Sequence, residues 1–162
     1  MTRVTVKGLL RGPDSENMVL VLETAGGDRV LGLVVPLSEA TRLGRVLGRG
    51  ACRCSPIYDL LTALAVSAHV EVGRAVLEST EGGIGAELVF VGDGPERRFE
   101  CHPADAVGLA IRSGAPIFIT RAALAQACPT ETLREPDPGA TAWLERVRPS
   151  DFGPSPTPPP AS

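Results

Sequence analysis

Aromatic side chains are scarce in this sequence, at 4% of its 162 residues. A core here has to be built from Val, Leu, Ile and Ala. The scarcity also argues against single-strand binders of the RRM or OB kind, which stack bases on exposed aromatic platforms. Lysine is scarcer still: Lys7 is the one lysine among 16 basic residues, and the net charge is −3. Such a balance exerts no general attraction on nucleic acid, so contact with it would need a local arginine patch or a bound divalent ion. Long apolar runs are absent as well. No stretch approaches the roughly 20 residues of a membrane-spanning helix, and MTRVTVKGLL lacks the apolar centre of a signal peptide. No phosphate-binding P-loop, GxGxxG fingerprint, HExxH pair or serine elbow occurs. With free thiols the default for the four cysteines, a cytoplasmic protein is expected.

What is present suits a folded domain. Hydrophobic residues make up 43%, the mean hydropathy is +0.11, and the length fits one domain with a real core. Val4 and Val6 alternate with polar neighbours as a first strand. Met18–Glu23 and Arg29–Val35 read as a hairpin closed at Gly26-Gly27-Asp28. A helix capped by Ser38 is predicted to end near Gly48 or Gly50. A second helix opens at Ser55-Pro56 and runs to about His69, and its almost unbroken apolar composition predicts that it crosses the core. Val70–Ser79, Gly85–Val91 and Arg98–Cys101 follow as strands.

Cys101–Ile119 (CHPADAVGLAIRSGAPIFI) carries the densest local signals. Pro103 suits a first helical position, Asp105 a first turn, and Gly114 a left-handed cap. Ala115-Pro116 forces an extended exit into the buried strand Ile117–Ile119. Arg121–Gln126 reads as a short helix. Together these predict an α+β fold with a mixed, mostly antiparallel sheet and packed helices. The expected organisation is a domain over residues 1–128, a polar linker at 129–138, a helical extension at 139–153 around Trp143, and a proline-rich tail at 154–162.

The same stretch resembles the bifunctional nuclease domain family, whose Arg-Pro-Ser-Asp helix start leads to a Gly-Ala-Pro-Ile strand. The matching residues are His102-Pro103-Ala104-Asp105 and Gly114-Ala115-Pro116-Ile117. The family's apolar strand end and glutamate-led helix are similar to Leu33–Glu39, and its Thr-His-Asp-Leu-Leu start to Ile57-Tyr58-Asp59-Leu60-Leu61. The paired strands of Val70–Val91 and the Trp143–Phe152 segment continue the match in order. The resemblance implies nuclease activity on RNA or single-stranded DNA. Glu39, Asp59 and Asp105 are then candidate ligands for Mg²⁺ or Mn²⁺, with Asp59, Asp105 and His102 as candidate catalytic groups. The chain departs from the family at Tyr58, His102 and Ala104. The alternative is a non-catalytic interaction module of the same fold, working through a homo-oligomer.

Bland readings stand beside these. All three carboxylates fall in first helical turns, where each stabilises its helix by about 0.3–1 kcal/mol without any catalysis. His102 can be a solvated helix-start residue. Zinc on Cys52, Cys54, Cys101 and His102 is disfavoured, because Cys52-Arg53-Cys54 is spaced too tightly and no second cysteine pair exists. Cys128 reads as a buried apolar residue, and His69 as a C-terminal residue facing the helix dipole.

Overall fold

The computed structural model describes residues 1–11, 16–48 and 57–129. Three strands open the chain: β1 (Thr2–Arg11), β2 (Asn17–Thr24) and β3 (Arg29–Pro36), followed by helices α1 (Leu37–Leu47) and α2 (Ile57–Ser67). A second meander contains β4 (Val70–Thr80), β5 (Gly83–Gly92) and β6 (Arg97–Cys101). Helix α3 (Pro103–Ser113), strand β7 (Ile117–Ile119), helix α4 (Arg121–Leu124) and the two-residue strand β8 (Cys128–Pro129) complete the described chain. It is an α+β fold, as expected.

All eight strands form one sheet in the order β6-β5-β4-β7-β1-β2-β3-β8. Two antiparallel meanders, β1-β2-β3 and β4-β5-β6, meet at β7. That strand pairs antiparallel with β1 (Val4 opposite Ile117) and parallel with β4 (Leu77 opposite Ile119). The parallel pairing requires a crossover, and α3 supplies it.

Alternation along the strands sets the layers. Val4, Leu20, Leu22, Leu33, Ala75, Leu77, Leu88, Ile117 and Ile119 share one face and form the core with Leu43, Tyr58, Val107 and Ala110 of the helices. On the other face, ion pairs link neighbouring strands and the loop before β6. Lys7 reaches Glu23 at 2.7 Å, Arg74 grips Glu96 through both guanidinium nitrogens at 3.0 Å, and Arg98 reaches Glu87 at 3.2 Å.

The Pro103-to-Gly114 reading holds in detail. Pro103 occupies the first helical turn, and Gly114 caps α3 at φ 70°, its N–H donating back to the carbonyls of Ala110 and Ile111.

Two expectations are corrected. Ser38 does not cap α1: the helix begins two residues earlier than that cap implies, at Leu37, with Pro36 at the N-cap and no side-chain cap bond. The N–H of Leu37, the first of the helix, is met by the Glu16 carbonyl at 3.0 Å. Nor does α2 cross the core. Tyr58 is its one buried residue, while Leu60, Leu64 and Val66 are 53%, 56% and 64% exposed. A helix that is apolar on every side gives no periodicity to show which face turns inward. At its end His69 takes a left-handed conformation (φ 54°) and stops the helix. Cys52, Cys54, the remainder of the expected linker, the C-terminal extension and the tail lie outside the described residues.

Gly114→Ala is expected to lower unfolding stability by about 1–2 kcal/mol, the cost of a left-handed Cβ. Gly82→Ala, at an open turn position without positive φ, is expected to stay close to wild type. Urea denaturation of both variants checks this pair.

Candidate functional site

The polar residues singled out from the sequence fall at the start of α3 and on the two helices beside it. Close approach of α2 and α3 begins with Gly108. A Cβ built there would lie 2.5–2.7 Å from Cζ, Cε2 and the hydroxyl of Tyr58, so glycine is what allows the buried phenol to lie against the α3 backbone. From that position the Tyr58 hydroxyl donates to Asp105 Oδ1 at 3.0 Å. Asp105 also has Arg42 Nη2 of α1 at 3.6 Å. Burial first, and then the negative charge of Asp105, push the Tyr58 phenol well above its ordinary value. It is a fixed hydrogen-bond donor at neutral pH, never a base.

One turn earlier, His102 stands at the N-cap of α3. Its Nδ1 lies 3.0 Å from Glu39 Oε2 and 3.4 Å from the Ala104 N–H. One nitrogen cannot donate to the first and accept from the second. In the structure Nδ1 accepts from Ala104, and the approach to Glu39 is an ion pair that forms when the imidazole is protonated; Glu39 Oε2 is a buried atom with no hydrogen-bond partner among the described residues. The half-exposed imidazole thus stands at the start of α3 with a backbone donor on Nδ1 and a carboxylate beside it.

Asp59 is placed apart from this cluster. Its carboxylate is held by Nε of Arg112, a residue whose backbone lies two turns, about 10 Å, further along α3 than that of Asp105. Next to that pair, Thr62 and Ser113 hydroxyls meet at 3.3 Å. Glu39, Asp59 and Asp105 thus have separate partners, and among the described residues no three His, Cys, Asp or Glu side chains group so as to hold a metal ion. Cys101 is half-buried, and burial followed by the charge of Asp105 raises its thiol, which makes it a poor nucleophile.

Sequence reading missed Arg42 and Arg112. Arg42 follows Glu39 by three residues on α1, a spacing that puts both on one helix face and was there to be used. Nothing local marks Arg112 as the partner of Asp59. Tyr58 was legible only as a departure from the family pattern, and its role as donor to Asp105 emerges from the packing on Gly108.

Because the native phenol binds its proton more tightly than the unfolded one, the native state carries the extra proton above pH 10 or so, and stability must fall as pH rises through that region. Tyr58 is the one tyrosine of the chain, so phenolate absorbance reports it alone. Folded protein is expected to show no phenolate near pH 10, and Tyr58→Phe is expected to remove the tyrosine-linked part of the alkaline loss of stability. A normal tyrosine titration in folded protein would contradict this.

Residues 20–131 match the bifunctional nuclease domain. Two relatives, the uncharacterized protein MT1877 of Mycobacterium tuberculosis strain CDC 1551 and the uncharacterized protein Rv1829 of the same species, are each 29% identical over 165 residues. Each alignment spans 94% of this chain and 98% of the relative. Among the described residues no helix is long and apolar enough to cross a membrane. The domain match takes in most of β2, β3, the whole second meander, α3 and the polar residues of this site, and on that extent the chain belongs to the bifunctional nuclease domain family.

Proposed function

We propose that the chain hydrolyses phosphodiester bonds of RNA or single-stranded DNA at the cluster formed by Glu39, Arg42, Tyr58, His102 and Asp105. The observation that carries this reading is the Glu39–His102 contact. The imidazole is half-exposed, and its Nδ1 lies 3.0 Å from a buried carboxylate oxygen that has no hydrogen-bond partner among the described residues; with the Nδ1 proton turned to that oxygen, Nε2 is left as a general base. His102 Nε2 takes the proton of an attacking water, the water oxygen bonds to phosphorus, and the leaving oxygen departs with a proton returned from the imidazolium. Arg42, half-exposed and 3.6 Å from Asp105, supplies positive charge for the phosphate oxygens. Tyr58 and Asp105 act by position, holding Arg42 and the start of α3 together.

A Mg²⁺ or Mn²⁺ ion shared by Glu39, Asp59 and Asp105 does not suit the arrangement. Asp59 is neutralised by Arg112, and among the described residues the three carboxylates do not group so as to hold an ion. The proposed steps therefore run through the protein's own side chains.

A second reading is a non-catalytic interaction module of the same fold. What favours it is that each candidate carboxylate already has a partner within the chain: Glu39 with His102, Asp59 with Arg112, and Asp105 with Tyr58 and Arg42.

Cleavage of single-stranded RNA and DNA by purified wild type, His102→Ala, Glu39→Gln and Asp59→Asn, each with Mg²⁺, Mn²⁺ or EDTA, tests the proposal. His102→Ala is expected to lose about 10²–10⁴-fold in rate, the usual worth of a general acid–base. Glu39→Gln should follow it part of the way, and Asp59→Asn should retain activity. Folded wild type that cleaves neither substrate would transfer support to the interaction module. Cleavage undiminished in His102→Ala would remove His102 from the reaction.

A further inference from the structure

Aromatic side chains are few in this chain, and among the described residues one of them is turned outward. Phe99 of β6 is 54% exposed, the one aromatic among the exposed large apolar side chains. Its register explains where it points. Phe99 lies opposite Leu88, Arg97 opposite Phe90 and Cys101 opposite Ala86, so these alternate residues of β6 stand on the helix side of the sheet. Helix α3 packs over β4 and β5, and β6 beyond them stays open to water. Phe90 meets Phe99 edge to face, with ring centroids 5.7 Å apart and planes at 85°. Such a pair takes up at most one face of either ring, so it holds Phe99 in place without closing both of its faces.

Two neighbours give this ring its chemistry. Arg97, two residues back on the same side and about 7 Å away along the strand, has no ion-pair partner among the described residues. Arg98, on the opposite side, is held by Glu87 and Glu96. In the other direction the strand runs directly into His102. Three residues extend to about 11 Å at most, so the ring and the imidazole stand within the span of a dinucleotide.

We propose that Phe99 is the stacking platform for one base of the single strand cleaved at the His102 cluster, with Arg97 on a phosphate of the same strand. The proposal rests on the nuclease reading for why a strand lies here, and adds the residue that holds it. An aromatic face accepts any base, so the platform serves RNA and single-stranded DNA alike. One ring serves one base, which separates this arrangement from the several stacking rings of an RRM sheet. A protein is a poor occupant. The apolar area offered is a single ring, and around it Arg97, Arg98 and Glu100 are exposed charges, which the centres of protein interfaces lack. The same charges oppose the addition of another strand to this edge.

The test is fluorescence anisotropy of labelled oligouridine and oligothymidine on the full chain in a His102→Asn background. There the catalytic base is gone, while asparagine still supplies an acceptor at the helix start. Phe99→Ala is expected to weaken binding roughly 5- to 150-fold, the contribution of one stacked base. Phe99→Leu should behave as Phe99→Ala does, and Phe99→Trp should bind at least as well as phenylalanine. Arg97→Gln is expected to flatten the slope of log K against log salt by about 0.7, one phosphate contact on a single strand. With His102 intact, Phe99→Ala is expected to raise KM by a similar factor and to leave kcat near wild type. Circular dichroism and melting verify that each variant is folded. Binding unchanged by Phe99→Ala, or kept by Phe99→Leu, would overturn the platform and leave the nuclease reading in place. An unaltered salt slope would take Arg97 out of the contact. Phe99-dependent binding by a wild type that cleaves nothing would uphold the platform and end the nuclease reading. A folded chain that binds neither oligomer would end both.

Discussion

Two antiparallel meanders become one sheet only because three residues, Ile117, Phe118 and Ile119, pair with both of them. The first and last of these are buried against the helix layer, so backbone pairing and side-chain burial act on the same short strand. The position of that strand is set locally. Gly114 reverses the chain with a left-handed cap, and Pro116 keeps the exit extended, its carbonyl accepting from Ala75 of β4. Helix α3, being the crossover into this strand, is held over β4 and β5, and its N-terminus then meets α1 and α2. Every polar residue of the candidate site depends on that placement.

Within the site, the competition is among charges for partners. Asp105 is satisfied by a phenol and a guanidinium and Asp59 by another guanidinium, while Glu39 faces an imidazole with one buried oxygen left without a hydrogen bond among the described residues. The contact that differs in kind is the last, because the ring has a second nitrogen and half of its surface in water. A carboxylate that binds arginine is neutralised; one that stands beside an imidazole is paired only when the ring carries a second proton. This asymmetry is why His102, rather than any of the acids, occupies the centre of the functional reading. Tyr58 sets the spacing: its ring rests on a helix position without a side chain, so α2 cannot approach α3 more closely or stand further away without breaking its bond to Asp105.

Much of the fold could be read in the chain wherever the signals were local. Pro103, Gly114 and Pro116 announce α3 and its exit, and the glycine pairs at Gly26-Gly27 and Gly82-Gly83 mark hairpin turns. Alternation located the strands to within a few residues. The α1 start was misread because its first free N–H is met by the carbonyl of Glu16, a partner that no local pattern reveals. The orientation of α2 was illegible for a different reason: when every side of a helix is apolar, the sequence says that something must cover it and not what does. The candidate acids were found, but their grouping was not. First-turn positions specify where a carboxylate leaves its own helix, whereas Arg112 and Arg42 come from the packing of one helix on another.

The seam at β7 also bears on the order in which the chain can become structured. Each meander closes through hairpins between neighbouring segments, with little loop entropy to overcome. The join is different, since residues 2–4 must wait for residues 117–119. Pairings between such distant segments form slowly and late. During synthesis, the first meander therefore leaves the ribosome with the β1 edge open, and it stays open until α3 and the strand after it have emerged. For that interval Val4 and its neighbours present an unpaired edge, and the helix that later carries His102 is the element whose arrival brings the closing strand.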